Sequence, residues 1–175
     1  MTIAARSLVY CAVLLPLSVA ALVAVLLGRQ GAALAWWRAL RVRWLGRPPV
    51  PPRRPRTVLV LGHAVASFVL GLIAVVPLGV QVLWVLRGVL YGFVDRGPYD
   101  HSWGGPSRAG AWLAHFLIGT PEALAGLAAL AGIAALHQRL TASLDGVRAP
   151  RWLFPTVALA VLAMVLLFVA WTRQL

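Results

Sequence analysis

Hydrophobic positions fall in long runs, and the polar ones are gathered between them. Leu8 to Leu27 is the first run, 20 residues without a charge. At about 1.5 Å per helical residue it matches a hydrocarbon layer of about 30 Å. Pro16 would kink such a helix, which a membrane span tolerates. A cleaved leader is the competing reading, with Arg6 ahead of the run and Ser18-Val19-Ala20 as the small-residue site. The apolar run continues past that site, which favours an uncleaved span.

Val58 to Leu86 is a second run, 29 residues with no formal charge. One straight helix of that length overshoots the bilayer, so a break or bend is expected at Pro77 and Gly79. The span proper is then 58–78. Ala109 to Leu136 is interrupted by Thr120-Pro121-Glu122, which has the chemistry of a helix start: cap, first-turn proline and acid. Two readings stay open. Either a short re-entrant helix precedes a span, or one kinked span covers about 113–137. Gly126, Ala129, Gly132 and Ala135 are small residues that permit close helix packing. The last span is 152–171, with Trp152 and Trp171 as interfacial anchors.

The connections differ in kind. Residues 28–57 hold Arg29, Arg38, Arg41, Arg43, Arg47, Arg53, Arg54 and Arg56 and no acid. Ala32 to Leu45 reads as an amphipathic helix in the membrane interface. Trp36, Trp37 and Trp44 would lie at headgroup depth, and Arg38, Arg41 and Arg43 would meet anionic lipid. Pro48 to Pro52 follows as a stiff extended spacer. A docking arm for a protein partner is the alternative use of this segment. Residues 138–151 form a short polar connection with Arg139, Arg148 and Arg151 against Asp145.

Composition supports this pattern. The chain is 61% hydrophobic and 11% charged, where soluble domains carry about 25% charged residues. Sixteen basic residues, all Arg, oppose four acids for a net charge of +12. No aromatic–basic reading surface accompanies that charge, so lipid headgroups explain it better than nucleic acid. Cys11 is the single cysteine, which excludes an internal disulfide.

By the positive-inside rule 28–57 and 138–151 are cytoplasmic. The loop 91–108 and both termini are then extracytoplasmic, in a multi-pass protein of the cell membrane. That loop gathers Tyr99, Asp100, His101 and Trp103 between the turn signals Gly97-Pro98 and Gly104-Gly105-Pro106. His115 and Glu122, seven apart, fall on one helical face near it. These six residues are the candidates for ligand or partner recognition. His101, His115 and Glu122 are also the candidates for a metal, at a spacing that matches no established signature. No catalytic motif is present, so the expectation is a protein that is not an enzyme and needs no cofactor.

Over residues 57–146 the runs Phe68-Val69-Leu70-Gly71, Pro77-Leu78-Gly79 and Pro121-Glu122-Ala123-Leu124-Ala125-Gly126-Leu127 are distinctive. So are the aromatic turn Tyr99 to Trp103 and the segments His137-Gln138-Arg139-Leu140 and Leu144-Asp145-Gly146. They resemble the multi-span sensor membrane domain found ahead of the kinase core in actinobacterial histidine kinases and in stand-alone membrane proteins. The resemblance covers about half the chain and implies an envelope-signalling module. It carries over no catalytic or binding residue. Kinase core and phosphoacceptor helix are both missing, so signalling would need a partner chain.

The expected fold is an all-α, polytopic integral membrane bundle of about four transmembrane helices with an interfacial amphipathic helix. The expected function is a non-catalytic, sensor-like or accessory subunit acting with a protein partner, or as a homo-oligomer, in a bilayer with anionic headgroups. A small transporter or pore subunit is the first alternative, and a metal-dependent membrane enzyme the second.

Overall fold

Thr2 starts the first helix. Its hydroxyl accepts from the Ala5 amide at 3.3 Å, and α1 then runs Ile3–Leu26 through Pro16. The structure, a computed structural model, describes residues 2–46 and 55–173. Gly28, at a φ of 74°, takes the left-handed turn that sends the chain back. Helix α2 (Gln30–Leu45) then folds along α1, so that Gly46 lies beside the Arg6 guanidinium. Ala33, Leu34, Trp37, Leu40 and Arg41 form its buried stripe. The expected helix over Ala32 to Leu45 is present, and one face of it packs against protein. The segment is the second arm of a helical hairpin, because its 33-34-37-40-41 spacing gives it a face to bury against protein. Arg47, Arg53, Arg54 and the Pro48–Pro52 spacer lie outside the described residues.

Helix α3 (Thr57–Leu83) runs antiparallel to α1. Gly71 marks the crossing: a Cβ there would stand 2.8 Å from the Leu15 Cα. Of the break or bend expected at Pro77 and Gly79, a break does not occur. The helix passes through Pro77, and the change comes later, as a π-helical turn over Trp84–Val89. Gln81 Nε2 donates to Pro77 O at 3.3 Å and to Ala123 O at 3.0 Å, bracing the proline turn against the next long helix. A short α4 (Tyr91–Val94) leads into the loop.

Helix α5 (Arg108–Leu144) is continuous over 37 residues, about 55 Å at 1.5 Å per residue. Of the two readings for this region, the single long helix is the one observed. Thr120 is not an N-cap: its hydroxyl donates back to Phe116 O at 2.6 Å. Residues 138–144 belong to the helix, so the expected polar connection begins only at Asp145. The buried stripe is Ala123, Gly126, Leu130, Ala134, His137 and Thr141. Ala129, Gly132 and Ala135 of the expected small-residue stripe face outward. Helix α6 (Leu153–Thr172) covers the last expected span.

Tyr10, Leu14, Leu70, Leu130 and Leu140 form the centre of one core cluster, with Leu153 and Val157 of α6 joining it. A second cluster joins Ala21, Val25, Trp37, Val60 and Ala64 under the hairpin. The described fold is all-α. Among the described residues three stretches, Ile3–Leu26, Thr57–Val89 and Arg108–Leu144, are long and apolar enough to cross a membrane. Val19, Val23, Val75, Val76, Leu117 and Leu124 point away from the protein on these helices, as lipid-facing side chains do.

Candidate functional site

Two polar regions occupy opposite ends of α5. The first is the cap, where the loop meets the start of the helix. Ser107 caps α5 by accepting from Gly110 N at 3.1 Å. Gly104 lies directly on Gly110, too close for a side chain at either position. Tyr99 donates to Asp95 O at 2.8 Å, and Asp95 Oδ1 accepts from Gly97 N at 3.1 Å. Tyr91 stacks on His115 with ring centroids 4.2 Å apart. Trp112 Nε1 donates to Gly88 O at 2.9 Å, and Trp84 Nε1 to Thr120 Oγ1 at 3.2 Å. With Gln81 to Ala123, these bonds stitch the end of α3 and the π turn to α5.

The expected recognition residues are partly brought together. Asp100, His101, Trp103 and His115 line one pocket of about 300 Å³. Trp103, His115 and Glu122 line a second of about 350 Å³, with Arg87 and Trp84. Tyr99 lines neither and serves to brace the loop. His115 Nδ1 is paired with Ala111 O at 2.8 Å. Among the described residues no three or more His, Cys, Asp or Glu side chains are placed to hold a metal. His101, His115 and Glu122 therefore do not assemble as ligands.

The second region lies inside the bundle, and the sequence reading passed over most of it. His63 and Ser67 sit four apart on α3; His137 and Thr141 sit four apart on α5. Each hydroxyl donates to the carbonyl of its own histidine, Ser67 to His63 O at 2.7 Å and Thr141 to His137 O at 3.0 Å. Each hydroxyl also meets the imidazole of the opposite helix, His137 Nε2 at 2.9 Å from Ser67 and His63 Nε2 at 3.3 Å from Thr141. A hydroxyl has one hydrogen, already given to a carbonyl, so both Nε2 atoms are the donors. Tyr10 then donates from α1 to His137 Nδ1 at 2.6 Å. The result is a reciprocal clasp between antiparallel helices, with the two rings 5.3 Å apart. Trp37 closes it edge-on, 4.4 Å from His63.

One turn beyond, Asp145 is buried and takes Arg38 Nε at 2.9 Å and Arg41 Nη1 at 3.5 Å. The expected lipid contacts divide accordingly. Trp37 and Arg41 are buried in protein, and Arg38 is drawn to Asp145, because the α5 carboxylate offers the α2 arginines a counter-ion. Trp36 and Arg43 are exposed, and Arg43 lies 5.4 Å over the Trp44 ring. Trp44 itself is half-buried, packed against the core. Arg139 stacks over Trp152 at 4.7 Å, tying α5 to the start of α6.

The signal for the clasp was visible as His-x3-Ser and His-x3-Thr in two apolar runs. What the sequence lacks is the register that sets one pair against the other. Scans against family models, the curated proteins and the solved structures find no match for the chain.

Proposed function

We propose that the protein is a non-catalytic, four-span integral membrane protein, a sensor-like or accessory subunit that acts with a partner chain. The cap faces the extracytoplasmic side and receives a ligand or partner at the pockets around Trp103 and His115. The Arg-rich end faces the cytoplasm. The observation that carries this reading is the continuity of α5. One unbroken helix bears His115 of the cap, His137 and Thr141 of the clasp, and ends at Asp145 of the ion pair. His115 and His137 are about 33 Å apart along its axis. A helix of this kind moves as a body, so a displacement at the cap reaches the clasp and the Arg38 and Arg41 contacts. The resemblance to the sensor membrane domain of histidine kinases agrees with this use.

Pull-down from native membranes in mild detergent, followed by mass spectrometry, tests the reading. A stoichiometric partner chain is the expected result. Recovery of this chain alone overturns it.

A further inference from the structure

We propose that the groove beside the clasp binds a membrane-soluble amphiphile whose hydroxyl group donates a hydrogen bond to His63 Nδ1. This inference stands independently of the sensor reading.

The clasp is symmetric in its Nε2 bonds but not in Nδ1. His137 Nδ1 is closed by Tyr10, whereas no hydrogen bond reaches His63 Nδ1 among the described residues. His63 is only 6% exposed, and it lines a groove of about 910 Å³ between α3, α5 and α6. A volume of that order holds a drug-sized ligand. Val58, Leu59, Leu140, Phe154 and Leu162 give the groove apolar walls. His63 and Ser143 are the polar side chains on them, and the Ser143 hydroxyl donates its hydrogen to Leu140 O at 2.7 Å. Among the described residues the lining side chains therefore offer acceptors and neither a free donor nor a charge. Such a site suits a long apolar molecule with one O–H group. It disfavours carboxylates, which would lose hydration without gaining a donor, and ethers or esters, which leave Nδ1 unpaired. A water would satisfy Nδ1 but not the walls.

Trp37 supplies the reporter, since it touches His63. The full chain in phosphatidylcholine nanodiscs is titrated with 9,10-dibromostearyl alcohol and, separately, with its methyl ether. The Trp37 emission is isolated by subtracting the Trp37→Phe variant. The alcohol is expected to quench at about tenfold lower mole fraction than the ether, the size of effect one satisfied buried acceptor gives. His63→Phe should bring the two probes to the same potency. Gly62→Leu gives a second variant that leaves the clasp intact: a side chain there meets open space, on the groove wall. It should abolish quenching by both probes. Equal potency of alcohol and ether in the wild type overturns the proposal. So does absence of quenching, or quenching that survives Gly62→Leu.

Discussion

Ser67 and Thr141 do the same work on opposite helices, and substitution separates their contributions. Ser67→Ala and Thr141→Val each remove the acceptor of a buried imidazole N–H, at a cost of about 1–3 kcal/mol. The two should couple in a double-mutant cycle, because both bonds close the same helix pair. Reversible unfolding in mixed micelles reads both quantities, and strict additivity would show two unrelated contacts. Asp145→Asn removes the carboxylate that faces Arg38 and Arg41. Breaking a buried pair from one side costs about 3–5 kcal/mol, read as a fall in the denaturant midpoint. The residues of the cap were legible because acid, imidazole and indole stand together in an otherwise apolar chain. The clasp was not, since its members are about 70 positions apart in sequence and each alone reads as an ordinary buried polar residue.

Helix positions were legible, since an apolar run marks where a helix lies, but α5 runs about two turns past its expected end at His137, to Leu144. The breaks were not legible. Pro77 and Pro121 each withhold one backbone donor, yet both helices continue through them. Bonds across the pair hold that stretch: Gln81 reaches Ala123, and Trp84 reaches Thr120. Proline chemistry is local, whereas the support comes from a helix some 40 positions on. Gly71 shows the same dependence. Gly71→Ala pushes a methyl into the Leu15 backbone and should cost about 1–3 kcal/mol, whereas Gly132→Ala, which meets open space, should be neutral or stabilising. Unfolding midpoints in one detergent decide it, and equal effects at the two glycines would mean that α1 and α3 do not meet at Gly71. The protein-facing stripe of α2 was not legible for a related reason. Its Arg and Trp residues suit headgroups and buried pairs alike, and only the Asp145 carboxylate selects between them.

At the scale of the molecule, three stretches among the described residues qualify as spans on length and apolarity, and the proposed orientation follows from eight arginines between the first two. A cysteine at Ser102 should be labelled by an impermeant maleimide in intact cells. Labelling only after permeabilisation reverses the orientation. The central claim is that α5 joins cap and clasp into one mechanical unit. Its most direct test is 19F NMR of the 5-fluorotryptophan-labelled chain in nanodiscs. The Ser67→Ala, Thr141→Val double variant opens the clasp, about 37 Å along the α5 axis from Trp112. The account predicts that the Trp112 resonance shifts or splits together with that of Trp37. A folded double variant that perturbs Trp37 while leaving Trp112 and Trp103 unchanged contradicts it.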